Sequence, residues 1–103
     1  MKPYRHLRLE NLIQRELTSI LFKDYETEPG VFITITKVEI DEKLLQAKIK
    51  LGIIPFEKEA EVFLKIQKDR RFLQHQLLKK INIKPMPSLA FSLQEGSGQK
   101  ISR

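Results

Sequence analysis

Cysteine is absent from the 103 residues, which excludes disulfides, zinc ribbons and every thiolate nucleophile. Histidine occurs twice, as His6 and His75, so a metal site would have to be built from two imidazoles and carboxylates. No recognised ligand spacing joins them, and neither a metal nor a cofactor is expected. Glycine occurs four times, and no Walker loop, G-x-G-x-x-G or G-x-x-G is among the possible spacings. Gly96-Ser97-Gly98 reads as flexible and not as a phosphate cradle. No apolar run approaches the roughly 18 residues of a membrane span. Met1-Lys2-Pro3-Tyr4-Arg5-His6 leads straight into a charged amphipathic pattern, so no targeting segment is expected.

What the chain has is basic charge. Nineteen Lys and Arg against 13 Asp and Glu give a formal charge of +6, and nucleic acid is the leading partner class, ahead of an anionic membrane surface. The charge is segregated: residues 1–23 carry +3, residues 24–64 carry −4 and residues 65–103 carry +7. A fold that joins the two ends would create one strong positive field.

The length allows one small domain. From Arg5 to Lys23, Leu9, Leu12, Ile13, Leu17, Ile20 and Leu21 recur at helical spacing. Arg8 and Arg15 share a face roughly opposite that stripe, with Arg5 one turn earlier. Pro29-Gly30 marks a turn. Val31 to Ile40 reads as a strand whose apolar parity shifts between Ile35 and Val38, and a bulge near Thr36-Lys37 would repair it. Asp41-Glu42-Lys43 is expected to reverse the chain tightly. Leu45, Ala47, Ile49, Leu51 and Ile53 then alternate with Gln46, Lys48, Lys50 and Gly52, the pattern of a half-buried antiparallel strand with one wet face. Pro55 ends it. Glu57, Glu59 and Glu61 follow in the first turns of a helix, where carboxylates suit the dipole. Alternate positions do not share a helix face, so they solvate and do not form a metal cage.

Between Glu57 and Ile81, Val62, Ile66, Leu73 and Leu77 fall on one helical face, but Asp69 and Arg70 would interrupt it. A break near Lys68-Asp69 removes the conflict, with Asp69 expected to cap the second helix through its side chain. Ile83-Lys84-Pro85-Met86-Pro87 is an extended connector. Leu89, Phe91 and Leu93 alternate with Ser88, Ala90 and Ser92 as a third strand. The expectation is an α+β fold, order α-β-β-α-α-β, a three-stranded sheet with helices packed on one face. It fills residues 1–94, followed by a flexible polar tail, 95–103.

Catalysis by His6 or His75 is not expected; both read as exposed helix residues, and a small RNase using them as an acid/base pair is the enzyme alternative. Most phenylalanines fall in apolar stripes and no basic-Gly-aromatic string exists, which argues against a base-stacking sheet. A protein-interaction module using the polar sheet face is the other alternative. The remaining chemistry is phosphate binding by Lys and Arg. Lys68, Arg70 and Arg71 would converge with the helix amides at the break, where Asp69 partly opposes an anion.

Arg5-His6-Leu7-Arg8-Leu9, Ile13-Gln14-Arg15-Glu16-Leu17, the strand pair from Val31 to Ile40 with Ala47-Lys48-Ile49, and Pro87-Ser88-Leu89-Ala90-Phe91 together resemble the ribosome-binding factor A family of small-subunit assembly factors. The resemblance spans Arg5 to Phe91. It implies a type II KH-like fold and a non-catalytic, cytoplasmic factor. Its partners would be small-subunit precursor rRNA and free small ribosomal subunits, in late maturation and rRNA 5′-end processing, often linked to growth in the cold. Two positions depart from the family pattern. Its interhelical Ala-x-Gly kink reads Asp69-Arg70-Arg71 here, and Gln94 stands near the place of an acidic residue after the last strand. On this reading a monomer that binds no membrane docks on rRNA through Arg5, Arg8, Arg15, Lys68, Arg70, Arg71, Lys79, Lys80 and Lys84, each neutralising phosphate.

Overall fold

The computed structural model describes residues 3–94; the tail expected at 95–103 lies outside them. Helix α1 (Tyr4–Ser19) runs into a π-helical turn (Ile20–Asp24), followed by β1 (Phe32–Ile40) and β2 (Gln46–Ile54). A 3-10 turn (Phe56–Lys58) leads into α2 (Glu59–Lys68), α3 (Arg70–Ile81) and β3 (Ser88–Leu93). The expected order is observed. The sheet order is β1-β2-β3, with β1 antiparallel and β3 parallel to β2.

The register explains the parity shift in β1. Ile35 pairs with Leu51 and Lys37 with Lys50, leaving Thr36 as the extra residue of a bulge. Ile35, Val38 and Ile40 therefore all point into the core despite their uneven spacing. On β2, Ala47, Ile49, Leu51 and Ile53 are buried, as alternation requires. Leu45 departs from that pattern: it precedes the strand and is exposed. The reversal runs through Leu44, at φ +60, and is longer than the expected three residues. Asp41 organises it, since Oδ1 accepts the amides of Leu45 at 2.8 Å and Gln46 at 3.0 Å.

The three helices cover one face of the sheet, α1 over β1, α2 over β2 and α3 over β3. Ile13, Leu17, Ile20, Ile66, Leu73 and Leu77 have no exposed surface and meet Ile49 and Leu51 from the sheet. The innermost stripe of α1 is polar at its start. His6 and Glu10 are buried, two turns and one turn before Gln14, so that the expectation of an exposed His6 is corrected. His6 Nε2 meets the Glu42 carbonyl at 3.2 Å, Glu10 Oε2 accepts the Ile40 amide at 2.8 Å, and Gln14 Nε2 donates to the Ile35 carbonyl at 3.1 Å. The Asp41 amide bonds to the Gln46 carbonyl, so the Ile40 amide faces away from β2. Glu10 thus satisfies a donor on the free edge of β1.

At the other edge, the Ser88 amide bonds to the Leu45 carbonyl, which turns the Leu89 amide outward. Gln74 Oε1 of α3 accepts it at 3.2 Å.

Glu10→Ala is expected to cost about 1.5–3 kcal/mol, the range for a hydrogen bond to a charged group, read as a lower urea midpoint with an unchanged slope. Faster exchange of the Ile40 amide should accompany it. The Gln46 and Leu45 amides hold the Asp41 carboxyl below its ordinary value of 3.8. Its contribution is therefore complete above that value and lost as pH falls below it. Acid titration should release the Leu45 and Gln46 amides, and Asp41→Asn should abolish that pH dependence.

Candidate nucleic-acid interface

The basic residues expected to meet phosphate fall into two groups. Arg5, Arg8 and Arg15 line a groove of about 520 Å³ with Leu9, Asn11, Leu12, Leu44 and Ile83. Leu9 and Leu12 are half-buried, so the arginines, which stand opposite buried Ile13 and Leu17 as the helical spacing suggested, also border the partly exposed edge of the apolar stripe. Leu44 and Ile83, which supply the far wall, carry no local signal of that role; only the left-handed turn and the end of α3 bring them there. Ile83 also places the connector, and with it exposed Lys84, beside the α1 groove. Arg8 lies 5.8 Å from the Tyr4 ring centre, and Arg15 makes one loose contact with Glu16, at 3.5 Å.

Arg70 and Arg71 form the second group. Both line a hollow with Gln74, His75, Leu78 and Met86 between α3 and the connector. Arg70 reaches a further one with Gln46, Gln67 and the start of β3. Lys68 is exposed at the end of α2. Lys79 and Lys80 occupy the last turn of α3, where cations suit the helix dipole; at 1.5 Å per residue they lie roughly 13 Å along the axis from Arg70 and Arg71. Arg5, Arg8 and Arg15 thus share one groove with Ile83, next to Lys84, while Arg70 and Arg71 line a different hollow. His6 turns into the hairpin and His75 into the α3 hollow, so no acid/base pair is assembled. Among the described residues no group of His, Asp and Glu could hold a metal ion, and no helix is long and apolar enough to cross a membrane.

The helix break is present at Asp69 (φ −92, ψ 12). The Asp69 amide donates to the Lys65 and Ile66 carbonyls, and its own carbonyl accepts the Leu73 amide at 2.9 Å. One residue thus ends α2 and begins α3 without glycine. Its side chain makes no capping bond, which corrects the expectation. Instead Oδ2 accepts the Tyr25 hydroxyl at 2.7 Å and lies 3.6 Å from Lys65 Nζ. That ammonium also sits 4.1 Å from the Tyr25 ring centre and donates to the Glu26 carbonyl at 3.1 Å. The long-range partner wins because the buried phenol needs an acceptor, and it turns the carboxylate toward the 24–30 loop. Gln94, at the second departing position, bonds across the sheet: Thr36 Oγ1 donates to its Oε1 at 2.6 Å.

The ribosome-binding factor A family model matches residues 5–102. The chain belongs to the ribosome-binding factor A family. Among its curated relatives, ribosome-binding factor A of Thermodesulfovibrio yellowstonii is 29% identical over 97 residues, covering 92% of this chain and 81% of that protein. The Coprothermobacter proteolyticus protein is 26% identical over 93 residues, covering 90% and 68%. In fold, the crystal structure of ribosome-binding factor A from Thermus thermophilus superposes with a TM-score of 0.72 at 18% identity, over 87% of this chain and 97% of that one. A homology model of the Thermus thermophilus factor, fitted into the cryo-EM map of its 30S complex, gives 0.66 at 16% identity, over 93% and 98%. These likenesses agree with the KH-like architecture expected from the sequence, and family membership holds with Asp69-Arg70-Arg71 at the interhelical break.

Burial and the Asp69 carboxylate hold the Tyr25 phenol well above its ordinary value of 10.0. Because the folded value is raised, stability from this group is complete below pH 10 and declines as pH rises beyond it. Ultraviolet titration of the wild type against Tyr25→Phe should show this late ionisation. Tyr25→Phe should cost about 1 kcal/mol and Asp69→Ala somewhat more, because it removes both the acceptor of the hydroxyl and the partner of Lys65; the double variant should cost little more than Asp69→Ala alone, since both remove the same bond.

Proposed function

We propose that the protein binds the immature small ribosomal subunit by neutralising rRNA phosphates, and acts there as a non-catalytic assembly factor. The carrying observation is the gathering of Arg5, Arg8 and Arg15 around one groove in a chain of the ribosome-binding factor A family. A relative of the same fold is described in a complex with the 30S subunit, which supports the same partner here. Lys84 extends the α1 surface, while Arg70, Arg71 and Lys68 at the break and Lys79 and Lys80 at the far end of α3 give further phosphate contacts. Arginine serves this task through its fixed fork of donors, which matches a phosphate's oxygens. Two separated clusters on a rigid body read the spacing of phosphates, hence the shape of a folded RNA more than its sequence.

On this reading the protein is a cytoplasmic monomer that acts on precursor rRNA late in subunit maturation, around 5′-end processing, and matters most in the cold, where misfolded RNA is slow to escape. The Asp69 carboxylate, drawn toward Tyr25 and Lys65, leaves Arg70 and Arg71 less opposed than their neighbour in sequence suggests.

Sedimentation of extract should place the protein on free small subunits and leave polysomes without it. With purified precursor subunits, log K should fall linearly with log salt, and each lost contact in Arg5→Ala, Arg8→Ala or Arg15→Ala should flatten the slope by roughly 0.7–0.9. An affinity independent of salt overturns the electrostatic reading.

A further inference from the structure

Most phenylalanines are expected in apolar stripes, but four of the six, Phe22, Phe32, Phe56 and Phe72, are exposed. Phe22, Phe32, Ile54 and Phe56 are each more than half exposed, Phe22 by 82%. Phe22 on the π-helical turn and Phe32 at the start of β1 line one hollow. Ile54 is the cross-strand partner of Phe32, and Phe56 follows it across Pro55. Large exposed apolar side chains thus gather at the sheet end farthest from the β1–β2 turn, Phe22 and Phe32 in one hollow, Ile54 paired with Phe32 and Phe56 two residues on, an arrangement that marks an interaction surface.

The surroundings select the partner. Glu28 lines the aromatic hollow and also an adjoining groove of about 550 Å³ with Glu26 and Glu61, between the loop and α2. Two cations reach this groove and both are engaged. Lys58 lies 3.1 Å from Glu28 and 3.8 Å from Glu61, and Lys65 is held by Asp69 and Tyr25. The three carboxylates Glu26, Glu28 and Glu61 still outnumber these two cations. RNA phosphate and an anionic membrane are both repelled by such a rim, and a second copy would bring its carboxylates against these in a two-fold contact. A cationic peptide is attracted: its Lys and Arg meet the carboxylates and an aliphatic or aromatic anchor packs on the phenyl rings, with Arg also stacking on their faces.

We propose that this aromatic, acid-rimmed surface docks a basic protein segment carrying an apolar anchor, on a face separate from the arginine groove. The protein is then two-faced, cationic toward RNA and anionic toward basic protein. The inference stands on these residues alone, and its test needs neither ribosome nor rRNA.

The test is mapping by NMR on the full chain with three probes: a labelled peptide of about twelve alternating Lys and Leu residues, its Glu-Leu counterpart, and a single-stranded RNA of similar length. The Lys-Leu peptide should shift the signals of Phe22, Phe32, Ile54 and Glu28, the Glu-Leu peptide should shift nothing there, and RNA should shift only the arginine surfaces. Phe32→Thr and the pair Glu26→Gln with Glu28→Gln should each weaken the peptide about five- to tenfold, with an unchanged fold by NMR. RNA or the acidic peptide shifting this surface, the basic peptide shifting only other residues or none, or shifts that grow with protein concentration alone would each overturn the proposal.

Discussion

The structure depends on sealing a sheet of only three strands at both edges while covering a single face. Among the described residues no further strand or helix lies along an edge, so the helices that form the core also satisfy outward-facing backbone groups. Helix α1 does so with a polar row, His6, Glu10 and Gln14, spaced one turn apart beside the apolar row of Ile13, Leu17 and Ile20. Its bonds run to Glu42, Ile40 and Ile35. At the other edge Gln74 of α3 takes the outward amide of Leu89. These bonds fix the depth and rotation of α1 and α3 against the sheet, and therefore which of their faces remain outside. The arginines of α1 and the hollow of Arg70 and Arg71 are what those rotations leave exposed.

Much of this was legible because it is local. The parity shift in β1 required one extra residue, and Thr36 is that residue. A charged pair inside an apolar helical stripe required a break, and Asp69 is where it falls. The parts that were not legible involve partners far apart in sequence. A glutamate at position 10 looks like a solvated helix residue until a strand amide thirty residues on needs an acceptor. Asp69 looks like a cap until a buried phenol forty-four residues away claims its carboxylate. Helical spacing placed Arg8 and Arg15 on one face but not what stands opposite, because Leu44 and Ile83 arrive through a turn and a helix end.

The exposed phenylalanines have a related cause. Val31-Phe32-Ile33 is apolar on both sides of the strand, and period-two alternation is silent about which side a helix will cover. The helices cover the side of Ile33 and Ile35, so Phe32 and its partner Ile54 stay outside. Covering Phe32 too would need a second layer, which none of the described elements supplies. Exposed apolar surface is retained at a cost in solubility, and its acidic rim offsets part of that cost by repelling other copies.

The Tyr25, Lys65 and Asp69 cluster joins the two surfaces mechanically. It contains one residue from the acidic loop and two that flank or form the helix break, and Lys65 also holds the loop through the Glu26 carbonyl. A glycine kink leaves a break free to bend; here the break is tied to a buried side chain and cannot straighten without losing the hydrogen bond from the Tyr25 hydroxyl to Asp69. That tie sets the direction of Arg70 and Arg71. It also consumes the one acid beside them, so that a carboxylate unfavourable to an anion becomes the anchor of the scaffold that presents the arginines. Asp69 at the helix break is therefore compatible with the arginine surface beside it, because its charge is answered by Lys65 and its geometry by Tyr25.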